Sequence, residues 1–325
     1  MPTMTAAILF EPGGPEVLKV ANVPIPVPQL GEVLIRVKAF GLNRSELFTR
    51  QGHSPNVRLP RILGIEATGT VEEAPGGEFR QGETVLTVMG GMGRDFDGSY
   101  AEYVKVPAAH VQAVRTNLSW EALGALPEML QTAWGALSVA LRLAPGETLL
   151  IRGGTTSVGL AAAAIAKAAG ANVCATTRRS DREALLRRQG ANHVFVDDGF
   201  IAAKVREMFP DGVEKVLELV GTTTLLDSLA SAKRHGSVCM CGMVGDRWTL
   251  DAFEPMVAIP TAVNLTSYSG GVEEFMSMPL QRLVEQVEVG ALPMQLGPVF
   301  NLDEIVAAHR CMEANEGVGK IVVLP

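Results

Sequence analysis

Short apolar runs alternate with helical patterns through the middle of the chain. The runs are bounded by Gly, Pro or charged residues, which is typical of buried β-strands. Strands that alternate with helices favour an α/β fold with a parallel, doubly wound Rossmann sheet. We predict strands at 148–151, 172–177, 193–196, 213–220, 236–242 and 265–269, and helices at 160–169, 181–189, 199–208 and 223–232.

The first hundred residues show a different pattern, in which short strand-like runs follow one another with few helices. Their spacing is typical of a small β-barrel. Pro24, Pro26 and Pro28 exclude their stretch from the centre of a sheet, since proline lacks the N–H that a ladder needs. We predict strands at 6–10, 33–39, 63–71, 82–86 and 98–104, a short helix at 43–50, and a helix at 119–141 with Ser119 as its N-cap.

The alternation ends near residue 273. A helix at 273–289, a second at 302–313 and a strand at 320–324 are predicted to return to the first domain. We therefore expect one domain from residues 1–118 with 272–325, and a second from residues 119–271.

Composition narrows the functional classes. The chain has 325 residues, of which 47% are hydrophobic and 19% charged, as expected of a packed enzyme. A net charge of −7 gives no reason to expect nucleic acid or an anionic membrane as partner. No apolar run approaches the roughly 18 residues of a membrane span, and the N-terminus lacks a secretory pattern. Four scattered cysteines fit a cytoplasmic protein with reduced thiols.

A glycine-rich turn between the predicted strands 148–151 and 172–177 is the strongest candidate for chemistry. Glycines let a backbone turn tightly and approach a pyrophosphate, and the following helix offers free N–H groups to the anion. The motif Gly-x-Gly-x-x-Gly has Thr156 at its middle glycine. The predicted cofactor contacts are Gly153, Gly154, Thr155, Thr156, Ser157, Val158 and Gly159.

The residues after the second strand indicate which dinucleotide binds. NAD sites place an acid there for the ribose 2′-hydroxyl, whereas this strand ends in Thr177, Arg178 and Arg179, with Arg182 one turn further. Guanidinium groups grip phosphate in a bidentate manner, so we predict NADPH. The alternative is a solvated basic helix start. We disfavour it because Ser180-x-x-Glu183 is predicted to cap that helix by itself.

Two later strands end in glycines that should face the same ligand, since ligands bind at the carboxyl ends of parallel strands. We expect five residues there to border the nicotinamide half of the cofactor. They are Val220, Gly221, Gly242, Met243 and Val244.

Together these residues resemble the medium-chain dehydrogenase/reductase superfamily, in particular its zinc-independent quinone oxidoreductase branch. The resemblance implies a GroES-like barrel formed by both chain ends, a cleft between the domains, and a homodimer joined through the last Rossmann strand, near 265–269. It is carried by Gly41-Leu42-Asn43, Gly64-Ile65-Glu66 with Gly69 and Val71, Gly98 to Glu102, Thr132-Ala133-Trp134, the Gly153–Gly159 turn and Gly319 to Val322.

The chain departs from its zinc-dependent relatives. The resemblance implies that Asn43-Arg44 stands near their cysteine ligand and that Ile65 replaces their histidine. No cysteine precedes Cys174, so their four-cysteine lobe is missing. Without nitrogen and sulfur ligands we expect no zinc.

The resemblance also proposes catalytic residues. Asn43 would bond the nicotinamide carboxamide or a substrate carbonyl, or else it is an ordinary helix N-cap. Thr132 would touch the nicotinamide, or bond its own helix backbone. His53 would donate a proton, or be a solvated loop residue.

We expect an NADPH-dependent, zinc-independent oxidoreductase that transfers hydride to a quinone or to the β-carbon of an α,β-unsaturated carbonyl. One alternative is a non-catalytic NADPH-binding sensor or structural protein on the same fold. The other is a zinc-type alcohol dehydrogenase.

Overall fold

The structure is a computed structural model that describes residues 2–325. The chain divides into two compact units. Of the described residues, the first contains 2–129, 270–288 and 295–325, and the second contains 130–269 and 289–294.

The strands and helices carry the following labels. The strands are β1 (Thr3–Leu9), β2 (Leu18–Pro24), β3 (Glu32–Gly41), β4 (Arg61–Ile62), β5 (Glu66–Glu73), β6 (Thr84–Val88), β7 (Tyr103–Pro107), β8 (Val111–Ala113), β9 (Thr148–Arg152), β10 (Asn172–Thr177), β11 (His193–Val196), β12 (Val213–Glu218), β13 (Ala232–Met240), β14 (Asn264–Ser267), β15 (Leu296–Asn301) and β16 (Lys320–Leu324). The helices are α1 (Arg44–Arg50), α2 (Trp120–Gly124), α3 (Pro127–Gly135), α4 (Ser157–Ala168), α5 (Glu183–Arg188), α6 (Ala202–Met208), α7 (Leu225–Ser231), α8 (Pro255–Ala258), α9 (Val272–Ser277), α10 (Leu280–Glu288) and α11 (Ile305–Ala314).

The second unit is built on a six-stranded parallel sheet in the order β11-β10-β9-β12-β13-β14. Every residue of β9 is buried, as expected for a central strand covered on both faces. Helix α4 packs close to the sheet because its buried face consists largely of alanines. This confirms the predicted doubly wound α/β architecture.

The first unit contains a three-stranded sheet, β2-β1-β4, and a seven-stranded sheet in the order β15-β16-β3-β5-β6-β8, with β7 paired to β3. The C-terminal strand β16 lies antiparallel to β3, with Val322 opposite Gly41. The C-terminal strand therefore belongs to the first unit. Strand β2 ends at Pro24 and lies at a sheet edge, where missing N–H donors cost least.

Two long helices predicted from the sequence are interrupted. Residues 119–141 form α2, α3 and a π-helical turn, because Pro127 begins α3 instead of continuing α2. Ser119 is the N-cap as predicted, and its side chain accepts a hydrogen bond from the Ala122 N–H. Residues 273–289 form α9 and α10, which are separated at Met278 and Pro279. The residue before a proline is disfavoured in helical geometry, and this explains the second break.

Other boundaries differ by a few residues. Strand β5 begins at Glu66 and not at residue 63, and the predicted strand 98–104 is largely a loop before β7. The sequence pattern missed β8 and β15. None of the helices within residues 2–325 has the length and apolarity required to cross a membrane.

Candidate cofactor-binding and active site

The glycine-rich turn joins the buried end of β9 to the start of α4. Gly153 has a φ of +84°, a left-handed conformation that glycine adopts without steric cost. Thr156, at the middle glycine of the motif, has an extended backbone with φ −71° and needs no glycine. Its hydroxyl accepts the Gly159 N–H at 2.9 Å and donates to the Gly153 carbonyl at 2.9 Å. Thr156 is therefore the N-cap of α4, which begins three residues before the predicted start.

The other two glycines allow close approach of backbone segments. A Cβ on Gly159 would lie 2.6 Å from the Gly153 carbonyl oxygen and 2.9 Å from Gly154 backbone atoms. A Cβ on Gly154 would lie 3.0 Å from the Ala175 Cβ and the Thr176 carbonyl oxygen of β10. The turn is thus held against both α4 and the neighbouring strand, in the position that a dinucleotide pyrophosphate requires.

The start of α4 offers free donors for an anion. The N–H groups of Ser157 and Val158 are the first of a twelve-residue helix and have no acceptor within residues 2–325. Their dipoles favour negative charge at this end. The hydroxyl of Thr156, one of the predicted cofactor contacts, is used in the helix cap. The residues therefore fit a bound phosphate group, with Thr155 and Ser157 as the remaining hydroxyl donors.

The arginine cluster after β10 is held by its own loop. The Thr177 hydroxyl accepts the Arg179 N–H and donates to the Arg179 carbonyl, both at 3.1 Å. The Arg179 guanidinium binds Asp181 through Nε at 3.0 Å and Nη2 at 2.5 Å. Arg178 is exposed and forms no hydrogen bond or ion pair with the described residues.

The predicted capping of this helix start by Ser180 and Glu183 is wrong. Ser180 is the first residue of a 3₁₀ turn and makes no capping hydrogen bond, while Glu183 pairs with Arg187. The Arg179–Asp181 ion pair lies at this helix start, and it caps no backbone N–H group. The reason given for disfavouring a solvated basic helix start therefore does not hold, and the binding of phosphate by the arginines stays a prediction.

Two loops at the carboxyl ends of β12 and β13, which carry the residues predicted to border the nicotinamide, lie together. The Val244 N–H donates to the Leu219 carbonyl at 3.2 Å, and the Gly245 N–H donates to the Val220 carbonyl at 2.7 Å. Glu218 closes the first loop, because one carboxylate oxygen accepts the N–H groups of Val220 at 2.7 Å and Gly221 at 2.9 Å. The backbone of the predicted nicotinamide border is thus fixed by a buried carboxylate.

A buried arginine connects further strand ends. Arg152, the last residue of β9, binds both oxygens of Asp197 at 2.8 and 2.9 Å, and Asp227 at 2.5 Å. Ser228 donates to the second Glu218 oxygen at 2.5 Å and accepts a long bond from Arg152. Burial raises the pKa of Glu218, while its hydrogen bonds act in the opposite direction. This network fixes the loops that follow β9, β11 and β12.

In the first unit, Asn43 is bound at both ends of its amide. Its Nδ2 donates to Glu66 at 2.9 Å and lies 3.3 Å from Glu46. Its Oδ1 accepts from the Lys320 ammonium. Asn43 occupies the N-cap position of α1, but its side chain makes no capping hydrogen bond. The N-cap interpretation is therefore wrong for the side chain.

The cluster around Asn43 contains three carboxyl groups and one ammonium. Lys320 is 2.8 Å from Glu66 and 3.4 Å from Glu128. Burial acts to lower the pKa of Lys320, but the carboxylates of Glu66 and Glu128 outweigh it and raise the pKa. Burial and then the Glu66 charge raise the pKa of Glu46 to about 7. The Glu46 Oε2 atom has no hydrogen-bond partner within residues 2–325.

The other two proposed catalytic residues have simpler surroundings. His53 is exposed in the loop after α1, with its ring centre 6.5 Å from that of Phe48. Thr132 lies on α3 in the second unit, and its hydroxyl is 3.4 Å from the Gln131 side-chain oxygen. The proposed roles of Asn43, Thr132 and His53 at a substrate stay predictions.

The Asn43 cluster offers carboxylates but no nitrogen or sulfur ligand for a metal. Ile65 stands between Gly64 and Glu66, and within residues 2–325 no histidine or cysteine forms a hydrogen bond with Asn43. Across residues 2–325, no group of three or more His, Cys, Asp or Glu side chains is arranged to hold a metal ion.

Sequence reasoning missed the buried charges Arg152, Glu218, Lys320 and Glu46. A signal was present for two of them, since Arg152 and Glu218 each end an apolar strand run. A charge in such a run indicates a paired, buried group, but the sequence does not name its partner.

Two family models match separate parts of the chain. A model described as "Alcohol dehydrogenase GroES-like domain" matches residues 29–116. A model described as "Zinc-binding dehydrogenase" matches residues 157–283.

Comparison with individual proteins gives whole-length matches. The quinone oxidoreductase of Sus scrofa is 29% identical over 330 residues, which cover 99% of this chain and 98% of the relative. A mycobacterial protein solved in complex with NADPH is 29% identical, with a TM-score of 0.87, and 99% and 100% of the two chains are covered. A solved NAD-dependent alcohol dehydrogenase is 27% identical, with a TM-score of 0.89 and the same coverage. The fold alone therefore does not distinguish between the two cofactors.

Proposed function

Because the chain belongs to the medium-chain dehydrogenase/reductase superfamily, in its quinone oxidoreductase branch, we propose that it is an NADPH-dependent reductase that requires no metal. The acceptor is a quinone, or an α,β-unsaturated carbonyl compound that takes hydride at its β-carbon. Both acceptors are activated by their own carbonyl groups, so the reaction needs no strong acid or Lewis acid from the protein.

The observation that carries this proposal is the Gly153–Gly159 turn followed by arginines at the end of β10. When bound, NADPH supplies the hydride. The free N–H groups of Ser157 and Val158 bind the pyrophosphate. Arg178 and Arg179, with Arg182 nearby, bind the 2′-phosphate as charge-assisted donors. One solved structure of the same fold is a complex with NADPH and another is described as NAD-dependent, so the fold itself does not determine the cofactor. We assign the selection of NADPH to these arginines.

The remaining residues position the ligands. The loops at 220–221 and 242–244 border the nicotinamide and are kept in place by Glu218. The geometry of Asn43 favours a fixed amide that orders Glu66 and Lys320, because both ends of the amide are already bonded. A direct bond from Asn43 to the substrate would replace one of these contacts. Thr132 at the nicotinamide and His53 as proton donor complete the proposed set.

The two compact units suggest that each unit has its own function. We assign substrate binding to the first unit, for which the sequence predicts residues 1–118 with 272–325, and dinucleotide binding to the second, for which it predicts residues 119–271. The compact units divide instead after residue 129, and residues 289–294 belong to the second unit. The protein is proposed to form a homodimer through β14, which is the edge strand of its sheet and mostly exposed. Sedimentation at micromolar concentration checks this, and a monomer mass would contradict the dimer.

The cofactor assignment is tested by changing Arg178 and Arg179 to Ala. The affinity for NADPH should fall by roughly 1.5–3 kcal/mol for each charge-assisted bond lost, while NADH binding changes little. Arg188→Ala is the matched control, because it removes one basic charge at the end of α5. Titration of nicotinamide fluorescence measures both affinities. Equal losses for NADPH and NADH would contradict the 2′-phosphate assignment.

Turnover is tested separately, by following oxidation of NADPH with a panel of quinones and enones. Binding without oxidation of NADPH would favour the alternative of a non-catalytic sensor or structural protein. The description of one matching family model favours a zinc-type alcohol dehydrogenase. Stoichiometric zinc in elemental analysis of the purified protein would support it.

A further inference from the structure

Two adjacent arginines after β10 have different surroundings. Arg179 uses Nε and Nη2, one edge of its guanidinium, to bind both carboxylate oxygens of Asp181. Its backbone N–H and carbonyl are both bonded to the Thr177 hydroxyl. Arg178 has no such contact in the described part of the chain. A phosphate that reaches this loop therefore meets one available guanidinium and one that is already paired.

The edge of Arg179 that Asp181 occupies, Nε with Nη2, is one of the two guanidinium edges through which a phosphate can be bound. A guanidinium binds carboxylate and phosphate through the same two parallel N–H groups, so Asp181 and a phosphate compete for it. Asp181 also carries a negative charge, which repels a phosphate dianion. The hydrogen bond from Arg179 lowers the pKa of Asp181, and the same bond raises the pKa of Arg179. Both groups are consequently charged at neutral pH.

The pair is weak enough to be displaced. Its side chains are 64% and 59% exposed, and ion pairs with this exposure contribute little because water and salt screen them. A phosphate with a charge near −2 is a stronger partner for the same donors. The Arg179–Asp181 pair is therefore a competitor of the phosphate, and not a permanent structural bond.

We propose that Asp181 is a specificity-determining residue that limits the preference for NADPH over NADH, by occupying Arg179 in competition with the 2′-phosphate. Arg178 makes the primary contact with the phosphate, and Arg179 joins only when the phosphate displaces Asp181. This proposal rests on the NADPH site proposed above. It adds an acidic residue that weakens binding of the 2′-phosphate, and it assigns a larger share of that binding to Arg178 than to Arg179.

The direct test is Asp181→Asn, which keeps the size of the side chain and removes its charge. The expected result is an NADPH dissociation constant about three- to tenfold lower, with the NADH constant changed less than about twofold. The gain should shrink at high salt. Glu183→Gln is the matched control, because it removes one exposed carboxylate two residues away whose partner is Arg187. It should change both constants by less than about twofold.

A double variant isolates the competition. In an Arg179→Ala background, Asp181→Asn should give little or no gain for NADPH, because the donor it frees is missing. Arg178→Ala alone should cost more NADPH affinity than Arg179→Ala alone. The NADPH affinities of the wild type and of all these variants come from the same fluorescence titration.

Three results would overturn the proposal. They are an unchanged NADPH constant in Asp181→Asn, an equal gain in Glu183→Gln, and a full gain without Arg179. A wild-type protein that binds NADPH and NADH equally would instead overturn the cofactor assignment, and this proposal with it. If the wild type prefers NADPH and Asp181→Asn leaves the NADPH dissociation constant unchanged, only the role of Asp181 is overturned.

Discussion

Replacing Glu46 with Gln should remove a pH-dependent loss of stability from the first unit. The Glu46 carboxyl group is fully buried, and its Oε1 atom accepts the Ile65 N–H at 3.1 Å. Burial and then the charge of Glu66 raise its pKa from 4.5 to about 7. A glutamine keeps the acceptor oxygen and the shape of the side chain, but it never ionises.

The size of the effect follows from the two pKa values. Between pH 4.5 and 7 the folded protein keeps a proton on Glu46 that the unfolded chain releases, so stability falls as pH rises through this window. The difference between the two values, at about 1.4 kcal/mol per unit, gives a loss of about 3 kcal/mol above pH 7. At pH 5 the variant should be more stable than the wild type by no more than about 1 kcal/mol. At pH 8 the variant should be more stable by up to about 3 kcal/mol.

The assay is the free energy of unfolding of both proteins in urea, measured from pH 5 to pH 8. Subtracting one curve from the other cancels every titrating group except Glu46 and its neighbours. Glu72→Gln serves as the control, because its exposed carboxylate pairs with Arg36 at the surface. A difference between wild type and Glu46→Gln that stays constant with pH would refute the reasoning.

Two further predictions concern single sites in each unit. Gly159→Ala should destabilise the protein by roughly 1–3 kcal/mol and weaken NADPH binding, because the new Cβ would lie 2.6 Å from the Gly153 carbonyl oxygen; urea denaturation and NADPH titration check this, and unchanged binding would show that the turn is misplaced. His309→Gln should remove an acid-induced loss of stability. Burial and then the charge of Arg50 lower the pKa of His309 from 6.5 to about 3, so His309 alone costs the wild type about 3 kcal/mol between pH 6.5 and 4.5; the difference in unfolding free energy between the variant and the wild type should therefore grow in favour of the variant by about this amount as pH falls over this range.

The local features of the nucleotide site could be predicted from the sequence. A buried strand, a glycine-rich turn and an alanine-rich helix are set by residues within about one turn of each other, so short-range sterics decide them. Gly153 needs its left-handed backbone and Gly159 needs its missing Cβ, as expected of this motif. Thr156 shows where the motif is tolerant, because an extended residue there can cap the helix.

The helix interruptions had a signal in the sequence that the apolar pattern concealed. The residues on either side of Pro127 and Pro279 keep a helical spacing, and the pattern therefore continues across each proline. The backbone does not, since proline lacks an N–H and restricts the residue before it. At both places the proline, and not the apolar periodicity, determines where the helix is interrupted.

The partners of buried charges could not be predicted. Lys320 pairs with Glu66 from a strand at the other end of the chain, and Arg152 pairs with Asp197 and Asp227. These pairs follow from strand order and register, which no local pattern encodes. The sequence shows only that such charges need partners.

As pH changes, Glu46 and His309 alter the stability of the first unit in opposite directions, and Tyr100 interacts with both residues. The charge of Glu46, after burial, helps to raise the pKa of Tyr100, so that the phenol stays protonated. Its hydroxyl is 3.0 Å from His309 Nε2, which accepts the bond in the neutral tautomer that carries its proton on Nδ1 and donates it in the other tautomer. As pH falls from 6.5 to 4.5, the contribution of Glu46 to the free energy of unfolding increases, whereas the contribution of His309 decreases. Because the two contributions are of similar size, the wild type should be nearly flat in this window, while each single variant exposes the slope of the other residue.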